Sequence, residues 1–172
     1  MRLQLERWPS PAGILLLVTD DDGALRAMEF EENEPRMTRL LLRYYPGHNR
    51  HDGTAPDAVK QSLAAYFSGD INALDSVCTA AGGTAFQREV WTALRSIPPG
   101  TTISYGQLAA ALGRKGASRA VGAANGANPI PIVVPCHRVI GADGSLTGFG
   151  SGLPRKQWLL DHERRFAAAV AG

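Results

Sequence analysis

Apolar positions in the first third of the chain run first with the period of strands, then with that of helices. Ile14-Leu15-Leu16-Leu17-Val18 is a short unbroken run, the length of a buried strand. Asp20-Asp21-Asp22-Gly23 follows, and Asp-Gly is the usual pair for a tight hairpin turn. Leu25, Ala27, Met28 and Phe30 continue beyond it. The pattern predicts a β-hairpin over 12–19 and 24–30. After Pro35, Met37, Leu40, Leu41, Tyr44 and Tyr45 recur at helical spacing until Pro46-Gly47. Pro56 opens a second helical stretch, with Val59, Leu63, Tyr66 and Phe67 on one face and Gly69 as its stop.

Residues 70–83 lose this patterning. Asp70-Ile71-Asn72-Ala73 leads to Ala80-Ala81-Gly82-Gly83, a small-residue stretch that reads as a linker. It divides an α+β supporting domain, 1–83, with a small β-sheet and helices, from a mostly helical domain, 84–172. Two capping boxes mark helix starts in the second domain: Thr84 with Gln87, and Ser104 with Gln107. The first helix carries Phe86, Val90, Leu94 and Ile97 and ends at Pro98-Pro99-Gly100. The second carries Leu108, Ala109 and Leu112 and stops at Gly113. After Arg114-Lys115-Gly116, residues 117–126 form another short helix, so the pair resembles a helix-turn-helix.

At helical spacing Arg119 shares a face with Gly122, Ala123 and Gly126, while Ala117, Ala120, Val121 and Ala124 turn toward a core. Two glycines cost about 1 kcal/mol each in a helix, so the bare face calls for a reason. Close approach to a sugar-phosphate backbone, with the arginine entering a base stack, is one; tight helix–helix packing is the other. Pro154 opens the last helix, Arg155 to about Phe166, and the tail 167–172 is expected to fray. Lys156, Leu159, Leu160 and Glu163 fall on adjoining positions there. A carboxylate among leucines needs a partner if it is buried.

Composition narrows the class. A chain of 172 residues with 44% hydrophobic content can bury a full core. No apolar run reaches the ~18 residues of a membrane span. Met1 to Arg7 has no apolar signal core, so a cytoplasmic protein is expected. Cys78 and Cys136 read as free thiols, with Cys78 inert. His48 and His51 lie in the polar, turn-rich run Pro46–Gly53, which reads as a solvated loop and not as a metal site. Charge is divided unevenly. Residues 1–83 carry 8 basic and 12 acidic side chains, and residues 84–172 carry 10 and 4. Between Thr101 and Lys156 the only acid is Asp143, against Arg114, Lys115, Arg119, Arg138, Arg155 and Lys156. A one-sided field of this kind suits a polyanion.

The chemistry centres on Asn128-Pro129-Ile130-Pro131-Ile132-Val133-Val134-Pro135-Cys136-His137-Arg138-Val139. Its prolines exclude a helix and sit badly inside a sheet. The run reads as an extended, locked segment that delivers Cys136 to a fixed place. A cysteine so held beside a histidine is a candidate nucleophile; a buried structural thiol is the plainer alternative. Gly148-Phe149-Gly150-Ser151-Gly152 reads as a flexible lid and lacks the spacing of a phosphate-binding loop.

Asn128-Pro129 with Ile132 to Gly141 is similar to the signature of the O6-alkylguanine-DNA alkyltransferases, in a zinc-free form. Phe86-Gln87-Arg88-Glu89-Val90-Trp91, Ser104-Tyr105-Gly106, Ala120-Val121-Gly122 and Trp158-Leu159-Leu160 extend the likeness over residues 84–165. Residues 1–83 resemble the family's variable N-terminal domain. The resemblance implies direct reversal of DNA damage, in which Cys136 accepts the alkyl group from O6 of a flipped guanine, and from O4-alkylthymine, once per molecule. It implies that His137 activates the thiol through a water and that Glu163 orients the imidazole. Tyr105 would serve the site's phosphate and the leaving guanine, and Asn128 would tie the cysteine segment to the helix-turn-helix. Arg119 would fill the vacated stack, with Ser104, Ala120, Gly122, Ala123 and Arg138 at the DNA. Val134, Pro135, Val139, Phe149, Gly150 and Ser151 would line the pocket, and main-chain groups near Val134, Cys136 and Val139 would read the guanine edge. No cofactor or metal is implied. The partner that the resemblance implies is alkylated double-stranded DNA, with no membrane and no obligatory protein partner; clustering of monomers on DNA stays open. Phe149 stands where many relatives have tyrosine, and Gly150-Ser151-Gly152 where Ser-Gly-Gly is common, which bears on the alkyl groups accepted. The rival readings are a non-catalytic lesion sensor, a transcription regulator and a cysteine hydrolase. Sensors of this type lack the cysteine, the bare helix offers few base-reading side chains, and a hydrolase needs an oxyanion hole.

Overall fold

A computed structural model describes residues 1–171, and the side chains of residues 1–169. The chain divides into two compact units, Met1–Gly83 and Thr84–Gly172. Its class is α+β.

The first unit is built on a four-stranded sheet in the order β3-β2-β1-β4. The hairpin read from the sequence is β2 (Gly13–Asp20) and β3 (Leu25–Phe30), closed by the acidic turn. Two further strands carry no strong apolar signal. β1 (Arg2–Ser10) runs antiparallel to β2, with Leu3 opposite Asp20 and Trp8 opposite Leu15. It alternates apolar with charged residues and is mostly half-exposed. β4 (Asn49–Asp52) adds parallel to β1, so the stretch around His51 expected to be a solvated loop is an edge strand. An edge strand needs only backbone pairing on one side and tolerates polar side chains. Leu3, Leu16, Val18 and Ala27 pack against Met37 and Leu41 of α1 (Glu34–Tyr44). α2 (Asp57–Phe67) buries Val59, Leu63, Tyr66 and Phe67, the face its spacing predicts.

Residues 70–83 are not a plain linker. Ile71, Leu74 and Val77 are buried, Ala73–Ser76 forms a 3₁₀ turn, and Leu25 exchanges main-chain hydrogen bonds with Cys78 and Ala80, both 3.0 Å. The apolar residues recur every third position, and the glycines at the end of the stretch mask them. Cys78 is a free, exposed thiol.

The second unit holds α3 (Ala85–Leu94), α4 (Tyr105–Ala111), α5 (Ser118–Gly126) and α6 (Leu153–Ala171). Both capping boxes are formed. Gln87 N donates to Thr84 Oγ1 at 3.1 Å and Gln107 N to Ser104 Oγ at 3.1 Å, and each glutamine amide accepts in return. Trp91 Nε1 of α3 donates to the Ala124 carbonyl of α5 at 2.8 Å. A two-stranded parallel pair, β5 (Ile103–Ser104) with β6 (Val139–Ile140), joins the start of α4 to the end of the cysteine segment. Two-residue strands leave no periodicity to read. α6 is longer than its spacing suggests and continues as helix through the alanines to Ala171; Gly172 lies outside the described residues. Among the described residues no helix is long and apolar enough to cross a membrane.

Candidate active site

The cysteine segment is not extended. It turns back on itself: Val134 N donates to Ile130 O at 2.9 Å, and Pro131 bridges to Val134. Asn128, fully buried, closes this loop from inside. Its Oδ1 accepts from Ile130 N at 2.9 Å and its Nδ2 donates to Val134 O at 2.8 Å. Ile132 sits at φ +76°, a left-handed conformation that costs a β-branched residue about 1–2 kcal/mol. The buried Ile132 side chain and the surrounding bonds hold it there. Proline rules exclude helix and sheet, but they do not say that the chain turns.

Out of this loop comes a 3₁₀ turn, Cys136–Arg138. Successive side chains of such a turn point about 120° apart, so its three residues have three surroundings. Cys136 is buried, with 5% of its surface exposed. His137 is fully buried and its Nε2 lies 2.7 Å from Glu163 Oε2 of α6. A carboxylate accepts, so Nε2 carries the proton. The other ring nitrogen, Nδ1, is buried without a hydrogen-bond partner, which leaves it open to a water.

Arg138 completes the array, and its placement is a correction. It was expected at the DNA surface; it is 6% exposed. Its Nε donates to Glu163 Oε1 at 2.8 Å, Nη2 to Oε2 at 3.0 Å, and Nη1 to the Ile97 carbonyl at 2.7 Å. The fork geometry of guanidinium matches a carboxylate at two points, and Glu163, with no exposure at all, needs such a partner. Burial works against the charged form of Glu163, but His137 and Arg138 together outweigh it and hold the carboxyl far below its usual range.

α5 presents its small-residue face outward. Arg119, Ala120, Ala123 and Gly126 are exposed and Gly122 is half-buried. Ala120 was expected in the core and is exposed; Val121 and Ala124 are buried as expected, Ala117 is half-buried, and Asn125 joins the buried face. A Cβ on Gly126 would meet nothing within 4 Å, and one on Gly122 only the Tyr105 ring at 3.6 Å. Packing inside the unit therefore does not explain the glycines. Asn125, overlooked in the sequence as one more small residue of the stripe, points inward, with Nδ2 3.4 Å from the Cys136 carbonyl.

Tyr105 opens α4, half-buried, and its hydroxyl accepts from Thr147 Oγ1 at 3.2 Å. Ser104 Oγ is occupied as the cap of α4. Val134, Pro135 and Val139 are buried, Phe149 is half-buried, Gly150 is exposed and Ser151 is buried. The carbonyls of Val134, Cys136 and Val139 already accept from Asn128, Asn125 and Lys156. Lys156, read from sequence as one more surface base, is fully buried. With Arg138 and Lys156 both inside, the basic surface of this stretch rests on Arg114, Lys115, Arg119 and the half-buried Arg155. Arg114 is in turn shared with Glu89 at 3.1 Å. Among the described residues no group of three or more His, Cys, Asp or Glu is placed to hold a metal ion.

Comparison with known proteins shows what the whole chain is similar to. Residues 85–165 match the family model described as 6-O-methylguanine DNA methyltransferase, DNA binding domain. The methylated-DNA–protein-cysteine methyltransferase of Salmonella typhimurium is 54% identical over 95% of this chain and 96% of its own length. That of Mycolicibacterium paratuberculosis is 47% identical over 93% and 92%. A crystal structure of Mycobacterium tuberculosis OGT in complex with DNA superposes with a TM-score of 0.77 at 39% identity, covering 96% of this chain and 94% of that one. Likeness of this degree spans both units, not the cysteine region alone, and so the chain belongs to the methylated-DNA–protein-cysteine methyltransferase family.

Proposed function

We propose that Cys136 is the acceptor of this DNA-repair methyltransferase, taking the alkyl group from O6 of guanine, and from O4 of thymine, in double-stranded DNA. The observation that carries the reading is the turn 136–138. It holds the buried Cys136 side chain and puts the next two side chains on one buried carboxylate, Glu163. Thiols near pKa 8.5 are mostly protonated at neutral pH, and burial adds to that. A water held by His137 Nδ1 would take the thiol proton, with Glu163 fixing the tautomer that leaves Nδ1 free. The thiolate then attacks the alkyl carbon in line. A C–S bond forms, the C–O bond breaks, and the electron pair goes to the guanine oxygen while the base takes a proton from Tyr105. The thioether has no route back, so each molecule acts once.

A base in the duplex is out of reach of this sulfur, and extruding it costs a few kcal/mol. Arg119, standing on the bare face of α5, would fill the vacated stack, with Ala120, Gly122, Ala123 and Ser104 against the backbone. The Mycobacterium tuberculosis OGT in complex with DNA supports DNA as the partner here. The protein works in the cytoplasm, without cofactor, metal or obligatory protein partner. Incubation with methyl-labelled O6-methylguanine duplex tests the reading. Label should move to wild-type protein and not to Cys136→Ser, which should still bind DNA; label on both would refute the assignment.

A further inference from the structure

We propose that Thr147 is a positioning residue for Tyr105: its hydroxyl holds the phenol oxygen from one side and leaves the phenol proton for the departing base. The proposal rests on the reading that Tyr105 gives that base its proton. The contact is Thr147 Oγ1 donating to the Tyr105 hydroxyl oxygen at 3.2 Å. Thr147 is exposed, and an exposed hydroxyl ordinarily turns to suit the water around it. Here its main chain is pinned. Lys156, with no exposed surface, donates Nζ to the Thr147 carbonyl at 2.7 Å and to the Val139 carbonyl at 2.7 Å.

The contacts close a ring. Val139 opens β6 and pairs with Ile103 of β5. β5 ends at Ser104, the cap of α4, and Tyr105 is the first residue of that helix. Tyr105 is therefore held through its main chain by the strand pair and through its hydroxyl by Thr147. Both paths end on the same ammonium. A phenol O–H lies near the plane of its ring, pointing to one side or the other, because the oxygen is conjugated with the ring. A donor seated on one side leaves the other for the proton. When the proton passes to the base, the negative charge stays on the phenol oxygen. The bond from Thr147 then strengthens, since hydrogen bonds to an ionised acceptor are roughly twice as strong as neutral ones. An interaction that grows toward the transition state speeds the chemical step.

Single-turnover transfer from methylated duplex, with protein at saturation, is the test. Because Thr147 is exposed, substitutions there leave the core undisturbed. Thr147→Val, of the same shape but without the hydroxyl, should slow the chemical step by about three- to tenfold, the range of one hydrogen bond, with duplex affinity unchanged. Thr147→Ser, which keeps the donor, should recover most of the rate. In Tyr105→Phe protein the valine substitution should cost nothing further, since the oxygen it serves is gone; a double-mutant cycle measures that coupling. A threonine that only shapes the loop would slow both backgrounds alike. Equal slowing in both backgrounds, a wild-type rate in Thr147→Val, or equal loss in the serine and valine variants overturns the proposal. Failure of the underlying reading looks different: Tyr105→Phe would then transfer at the wild-type rate, and the proposal would fall with it.

Discussion

Arg138 meets Glu163 at two points, Nε to Oε1 at 2.8 Å and Nη2 to Oε2 at 3.0 Å, in a pocket neither side chain leaves. The arginine nearest the cysteine is therefore a support for the carboxylate that orients His137, not a contact to nucleic acid.

Arg138→Ala should cost about 3–5 kcal/mol of stability, because it strands a buried carboxylate. Urea denaturation measures this. The salt dependence of DNA binding by the folded variant should keep its slope, since no phosphate contact is lost. Unchanged stability with a shallower slope would return Arg138 to the surface.

Glu163 gives a pH signature. Its folded pKa is depressed, so its contribution is fully present above the unfolded value of about 4.3. It is lost as pH falls below that value toward the folded one. Wild type should lose stability over that acid window, and Glu163→Gln, with nothing to titrate there, should show a flatter profile. Thermal melts from neutral pH to about pH 2 compare the two; parallel profiles would contradict the pairing.

Much of this arrangement is legible in the sequence where a local rule applies. The two capping boxes, the Asp-Gly hairpin and the apolar face of α2 each follow from spacing alone. Glu163 could be placed inside because leucines share its face. The same face carries Lys156, and sign of charge misassigned it, as it did Arg138, to the surface. A long basic side chain signals exposure on average, but its fate depends on which acceptors the fold brings near. β1 and β4 were hidden by charged, half-exposed residues. The turn at Ile132 was hidden because a positive φ at a β-branched residue runs against propensity and is imposed by the loop around it.

Asn128→Ala removes both bonds that close that loop and leaves the Ile130 N–H and the Val134 carbonyl short of a partner. Each such loss costs about 1–3 kcal/mol. Calorimetry should show the destabilisation, and single-turnover transfer should slow even at temperatures where the variant stays folded. Full transfer rate in folded variant would mean that the loop does not position the sulfur.

Arg119→Ala should slow repair of a methylated duplex by well over the factor it slows reaction with free O6-alkylguanine, because only the duplex has a stack to refill. Equal losses on both substrates would place Arg119 in the chemistry instead.

The most direct test is mass spectrometry of the peptide bearing Cys136 after reaction with excess alkylated duplex. One alkyl group should be found per chain, on Cys136, with no further consumption of substrate. Continued turnover, or an unmodified Cys136 in protein that has repaired DNA, would contradict transfer to this sulfur.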